Sequence, residues 1–360
     1  MAIMARKRRP EISILNVIFC LLVIFIHIIS YPVGAFPPGS TKYTLVMLPW
    51  RLASFVVPGF IMLSGVKVFL TGKDALPFGK YIKGRLRGVI LPYAAAFAVY
   101  YIGFMLAYDY PLDMRFIIKH FLLGSLVYHL YFIPVLFQFD LLFPIWKRVV
   151  NKCSPLLLIP FALIFSGLCE NYLPSLLSAV FPRITFLYND RIFTTYLGYW
   201  LTGCYIGKYY DFFCEMLKKN FRTVCTIFAF CTICMGFYSV LAYGGLAPVP
   251  AMNSIHALYI LAALLFSYAL SLKIPKAFEK LSLFAKMDGA SFYIYLYHVL
   301  VLFAADKLLS LLGIEAQGLA FLLRALILYT VTPLASILYL GGKKKLQRTL
   351  RQTPSRGIDA

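Results

Sequence analysis

The chain has 360 residues, 61% of them hydrophobic and 14% charged, with a mean hydropathy of +0.80. Those values exclude a soluble globular domain as the main architecture. The formal charge of +21 does not point to nucleic acid, because the 35 Lys and Arg fall in short clusters between apolar runs and not in one patch or stripe.

Apolar runs of about 20 residues, the length that crosses a hydrocarbon core, predict ten spans in an all-α, polytopic membrane bundle: 12–31, 48–70, 88–108, 129–146, 154–171, 192–210, 222–242, 253–272, 289–312 and 319–341. The first run follows "ARKRRP" but is too long for a signal peptide and has no small-residue cleavage site, so it reads as a retained helix. With a cytoplasmic N-terminus the inner segments hold 26 basic residues and the outer loops four. This asymmetry follows the positive-inside rule and, with an even number of spans, places both termini in the cytoplasm. The expected organisation is a basic N-terminal segment 1–11, a transmembrane domain 12–341 and a basic tail 342–360. No connection is long enough for an independent core, so any chemistry belongs to the bundle.

The first span, "ILNVIFCLLVIFIHII", carries Asn16 and His27. Eleven positions are three helical turns, so both sit on one face, about 16 Å apart along the axis. A histidine inside a membrane is expensive unless paired or used, and its free nitrogen can act as a general base toward a hydroxyl. Asn16 can only hold, orient or cap. In the second span, Arg51 lies near the outer start, and Pro58-Gly59 and Ser64-Gly65 are expected to break the helix and expose backbone polar groups to a substrate or cofactor.

The most basic inner connection, "KDALPFGKYIKGRLRGVILPY", supplies Lys83, Arg85 and Arg87 and is expected to form an interfacial turn into the third span. The short, Pro-rich fourth span holds His129, Tyr131, Gln138 and Asp140, and an acidic group there must be paired or face a polar cavity. Residues 172–188 are Pro-punctuated and amphiphilic, in keeping with a lid or half-embedded outer loop. The ninth span places Ser291, Tyr295 and His298 near one face. Arg51, Arg191, Lys307 and Arg324 lie toward outer span ends, and with His27, His129 and His256 they predict a polar, cationic vestibule on the external side. The eight Cys lack a metal-ligand pattern, and the lone Cys231-x-x-Cys234 reads as chance, so no metal is expected.

In sequence order, "LLVIFIH", "VVPGFIMLSG", "YIKGRLRGVILPY", "HLYFIPVLFQFDLLFP", "YLGYWLTGCYIGKY" and "SFYIYLYHVLVLF" give residues 11 to 341 a clear likeness. The chain resembles the type-3 acyltransferase family of multi-span membrane proteins. The resemblance implies transfer of an acyl group, typically acetyl from cytoplasmic acetyl-CoA, to a hydroxyl of a glycan, lipid-linked saccharide or small molecule. That chemistry is O-acetylation, here of the kind used in polysaccharide modification, at a bacterial plasma membrane. In the family pattern a first-span His follows an Arg after ten intervening residues; His27 matches the His, and Asn16 stands where the Arg would be.

Residue geometry and resemblance together give His27, Arg51 and His298 as candidate catalytic groups. Asn16, Ser64, Lys83, Arg85 and Arg87 are the candidates for the acyl-CoA site, with Arg51 or a backbone N–H at the developing oxyanion. The alternative is an exporter or flippase for a polyhydroxylated substrate, which needs alternating access and no thioester site.

Overall fold

The computed structural model describes residues 9–181, 188–274 and 282–352, and among these there is no β-strand. The fold is an all-α bundle with fifteen helices among the described residues. They are α1 Pro10–Ala35, α2 Thr41–Leu52, α3 Val56–Leu70, α4 Phe78–Arg85, α5 Leu91–Tyr108, α6 Met114–Leu123, α7 Phe132–Leu141, α8 Phe143–Lys152, α9 Pro155–Val180, α10 Phe193–Lys208, α11 Tyr210–Lys219, α12 Phe221–Tyr243, α13 Met252–Ser271, α14 Ser282–Leu311 and α15 Gln317–Gln352.

Among the described residues, eight helical stretches are long and apolar enough to cross a membrane: Pro10–Ala35, Thr41–Leu70, Phe78–Tyr108, Pro155–Val180, Phe221–Tyr243, Met252–Ser271, Ser282–Leu311 and Gln317–Lys345. They account for eight of the ten predicted spans. The segment 129–146 is not one helix. It yields α7, ten residues and about 15 Å long, then α8 after a break at Leu142, where Pro144 enters the first turn and cannot continue the preceding hydrogen-bond ladder. Phe143, Trp146 and Val150 are the buried stripe of α8, opposite its charged face, as in a helix lying along an interface. The segment 192–210 yields α10, with 16 residues, buried over most of its length between α3 and α9. A helix surrounded by protein need not match the hydrocarbon thickness.

The packing of α3 on α10 has a specific cause. A Cβ at Gly203 would lie 2.0 Å from the Met62 carbonyl oxygen, one at Gly207 2.4 Å from that of Val66, and one at Gly65 2.6 Å from that of Trp200. The two backbones therefore touch through glycine, the small-residue mode of helix association in lipid. Pro58 and Gly59, expected to break the second span, do not. Pro58 falls in the first turn of α3, where its missing N–H is tolerated, and Gly59 gives room to Phe19 and Leu264. The interruption lies earlier, at the 3₁₀ turn Ala53–Phe55. Gly203→Ala is expected to cost about 1–3 kcal/mol through forced separation of α3 and α10. A fall in the thermal unfolding temperature of the detergent-solubilised protein checks it.

One further expectation is revised. Residues 172–180 continue α9 as helix and form no outer loop, while 182–187 lie outside the described residues. Beyond the tenth predicted span, α15 continues as helix through Lys343–Lys345 to Gln352. The basic connection after the second span forms a 3₁₀ turn Lys73–Ala75, then α4 and a π-helical turn Leu86–Ile90 that continue directly into α5 as one helical stretch, Phe78–Tyr108. Such wide turns favour functional sites.

At the centre, α1 packs against α2, α3, α13, α14 and α15. It runs in the same direction as α14. Asn16 meets Asp288, Cys20 meets the Ser291 carbonyl, His27 meets His298 and Tyr31 meets Asp306, each pair further from the N-terminal ends. This parallel pairing places the two candidate histidines at one depth.

Candidate functional site

Three histidines, from α1, from the turn before α7 and from α14, meet inside the bundle. The His27 ring stacks on that of His298 with centroids 5.0 Å apart, His129 lies 4.8 Å from His298, and His27 and His129 are 6.2 Å apart. Backbone carbonyls fix two of the tautomers. His298 Nδ1–H donates to the Tyr295 carbonyl at 2.7 Å, and His129 Nε2–H donates to the Leu296 carbonyl at 3.2 Å. The remaining nitrogens, His298 Nε2 and His129 Nδ1, are buried acceptors with no partner. Buried polar atoms are nearly always satisfied, so an orphaned pair at one point marks a place where a donor is expected to arrive. His27 is half-buried and rests against Tyr128, 4.8 Å between centroids.

Cavities lie on either side of this cluster along α1. At the basic end, one of about 450 Å³ is lined by Arg9, Ser13, Asn16, Lys67, Lys208 and Asp288 among others. A second, of about 240 Å³, shares Asn16 and Lys67 with the first and extends past Ser64 and Arg85 to Phe132 and Tyr295. Tyr295 reaches the cluster: its hydroxyl donates to the His129 carbonyl, and its ring is 5.5 Å from that of His129. The third cavity, of about 610 Å³, lies toward the other end. It includes Ile26, which precedes His27, and Tyr131, which follows His129 by two residues.

The inner cavities have a built electrostatic frame. Lys67 Nζ donates to Asn16 Oδ1 at 2.7 Å, Asn16 Nδ2 donates to Asp288 Oδ1 at 2.9 Å, and Ser13 donates to Asp288 Oδ2 at 2.8 Å. Asn16 thus bridges a cation and an anion, a use of its two-faced amide that no ionised side chain could supply. Arg85 is held by α7: its Nε donates to Asp140 Oδ2 at 2.6 Å, while Tyr81 donates to Asp140 Oδ1 at 2.5 Å. Its Nη2 is buried without a partner. A guanidinium oriented in this way presents an unused N–H beside the cavity that Arg85 lines, a fit to an anionic or carbonyl-bearing ligand. Lys83 and Arg87 are exposed on the surface of the same connection and line neither inner cavity.

The expected vestibule separates into parts. Arg51 and His256 line the outer cavity. Arg191 is engaged at its rim, donating to the Leu123 carbonyl at 3.1 Å and lying over Tyr188. Arg324 is a structural brace: its Nε donates to Asp306 at 2.7 Å, Tyr31 donates to the same carboxylate, and the guanidinium covers the Tyr31 ring. Lys307 is exposed. His27 and His129 belong to the buried cluster.

The structure therefore brings His27 and His298 together, and joins Asn16, Ser64 and Arg85 around one cavity, while Arg51 lines a different one. Sequence reasoning missed three participants. Lys67 is an embedded cation away from the outer span ends, Asp288 falls one residue before the ninth predicted span, and Glu170, at the end of the fifth, lines the outer cavity. An acidic residue at the edge of an apolar run was the available signal for the last two.

Among the described residues no group of His, Cys, Asp and Glu has metal-binding geometry. No curated protein and no solved structure gives a significant match to the chain. The family model of an acyltransferase domain does match, over residues 9–341, nearly the whole length. With that coverage and a helical bundle holding buried histidines between two sets of cavities, the chain belongs to the type-3 acyltransferase family and is a multi-pass membrane acyltransferase.

Proposed function

We propose that the protein takes an acyl group, acetyl in the simplest case, from cytoplasmic acyl-CoA at its basic end and transfers it to a hydroxyl of an acceptor entering from the opposite end, a glycan, lipid-linked saccharide or small hydroxylated molecule. The observation that carries the reading is the position of the histidine cluster between the inner cavities and the outer one.

Donor phosphates are assigned to the exposed Lys83 and Arg87 and to Arg85 at the mouth, where guanidinium groups hold phosphate oxygens by paired hydrogen bonds. The extended pantetheine arm follows the inner cavities past Asn16, Lys67 and Ser64. From Asn16 to His27 is about 16 Å of helix, a length such an arm can cover.

His27 accepts the proton of the acceptor hydroxyl as the oxygen attacks the thioester carbonyl. The tetrahedral intermediate collapses with cleavage of the C–S bond, the thiolate leaves, and protonated His27 returns the proton to sulfur. The ester C–O bond is the one bond gained between the substrates. His298, locked by the Tyr295 carbonyl, is a positioning residue that stacks His27 in place, and its free Nε2 favours the imidazolium formed in the transition state. Arg51, expected at the oxyanion, is assigned to the acceptor because it lines the outer cavity.

The test is incubation of the purified protein in lipid with labelled acetyl-CoA and a panel of glycans and small polyols. Label is expected in an alkali-labile ester on the acceptor, with saturation in acetyl-CoA. Saturable movement of an unmodified glycan across the bilayer without ester formation would establish the exporter reading instead.

A further inference from the structure

The outer cavity is lined by two ionisable side chains of opposite type, Arg51 and Glu170, neither of which forms an ion pair among the described residues. Arg51 sits at the end of α2, where its guanidinium lies 4.7 Å from the centroid of Tyr243 and 6.0 Å from that of Trp50. Its Nε is buried and has no hydrogen-bond partner. Among the described residues Arg51 forms no ion pair. Glu170 projects from α9, half-buried, and is likewise without an ion-pair partner among the described residues. Both line the same cavity of about 610 Å³, yet they are not paired with each other.

Other charges nearby are already engaged. Asp190 lies 3.6 Å from Arg191. His256 Nε2 is 2.6 Å from Ser54 Oγ, which in turn donates to the Arg51 carbonyl at 2.5 Å. The wall between Arg51 and Glu170 is built of groups suited to a hydroxylated body: Asn253, Asn189, Thr195 and the tyrosines Tyr196 and Tyr199.

Holding an arginine and a carboxylate apart in a partly desolvated cavity is costly, since each loses hydration and neither gains the other. The cost is recovered when a ligand brings the opposite charge to each. A neutral ligand leaves both uncompensated, and a ligand with one charge leaves the other.

Resting on the assignment of this cavity to the acceptor, we propose that it selects a hydroxylated zwitterion: an acceptor with an anionic group bound by Arg51 and an amine bound by Glu170, the hydroxyl between them directed inward toward Ile26 and His27. The pair fixes the ligand at two ends and thereby decides which hydroxyl is acylated.

The proposal is tested by direct binding, with no acyl donor present, to protein in lipid nanodiscs. Four probes share one six-carbon hydroxylated chain: sorbitol is neutral, gluconate anionic at C1, glucamine cationic, and 6-amino-6-deoxygluconate zwitterionic with its charges at opposite ends. The zwitterion is expected to bind about tenfold or more tightly than either singly charged probe, and sorbitol most weakly, as two charge-assisted contacts imply. Arg51→Gln should abolish the advantage of 6-amino-6-deoxygluconate over glucamine but keep its advantage over gluconate. Glu170→Gln should do the reverse. Equal binding of all four probes, or a preference that survives both substitutions, overturns the proposal. Because no transfer is measured, selective binding without any ester formation would overturn the catalytic reading while leaving this selectivity in place.

Discussion

His27→Ala lowers acyl transfer by about 10²–10⁴-fold, the contribution of a positioned general base, with the chain still folded and inserted. Several features separate this residue from a merely packed one. It is half-buried, whereas His129 and His298 are fully buried. Among the described residues its ring also makes no backbone hydrogen bond of the kind that fixes the other two tautomers. A histidine whose nitrogens are uncommitted is free to accept and return a proton; one whose Nδ1–H is tied to a carbonyl keeps a single tautomer.

His298→Gln should therefore act differently from His27→Ala. It reduces kcat and leaves the KM for the donor near its starting value, since it disturbs the position of the base and not the inner cavities. Initial rates against acetyl-CoA for both variants, after size-exclusion chromatography shows the same monodisperse species, check the pair of expectations. A His27→Ala rate equal to the parent's would remove His27 from the mechanism.

What the sequence made legible follows from which signals are local. Hydrophobic run length is local, so eight spans and the all-α class could be read directly. Helical period is local too, and it put Asn16 and His27 on one face. The two spans that came out short, 129–146 and 192–210, depend on something run length does not record: whether a helix faces lipid or protein. Gly65, Gly203 and Gly207 carried that information, because backbone contact between α3 and α10 encloses α10. A glycine in an apolar run also reads as a break, although Gly59 and Gly65 here serve close packing.

The site was legible in its residues and not in its groupings. His27, His129 and His298 were each visible as embedded histidines, but only the parallel packing of α1 with α14 and the turn before α7 put them within one cluster. Asn16 is a similar case. Beside the family pattern it reads as the loss of a cation; in the fold the cation is present as Lys67, 2.7 Å from the Asn16 amide oxygen and contributed by another helix. Charge at a site is a property of space, and a substitution on one helix can be answered on its neighbour.

Asp140 supplies the second large effect. Its side chain is fully buried and pairs with Arg85, whose side chain is 16% exposed, while Tyr81 donates to its other oxygen. Asp140→Leu removes the acceptor of both and leaves the guanidinium buried without a counter-charge. The expected loss is about 3–5 kcal/mol, toward the lower figure because Arg85 is not wholly enclosed. It is measured as a lowered unfolding temperature in detergent. The same substitution frees Arg85 from the geometry that sets its Nη2 beside the inner cavity, so the KM for acetyl-CoA rises while kcat changes less.

The two effects separate in the double variant Asp140→Leu/Arg85→Met. Replacing both members of a buried ion pair with apolar groups of similar volume removes the uncompensated charge and restores most of the stability. It does not restore the N–H donors. A double variant that is stable and still poor in donor use would place Arg85 at the acyl-CoA site and give Asp140 the role of orienting it. One that recovers both together would reduce the Tyr81–Asp140–Arg85 contact to a clamp between α4 and α7.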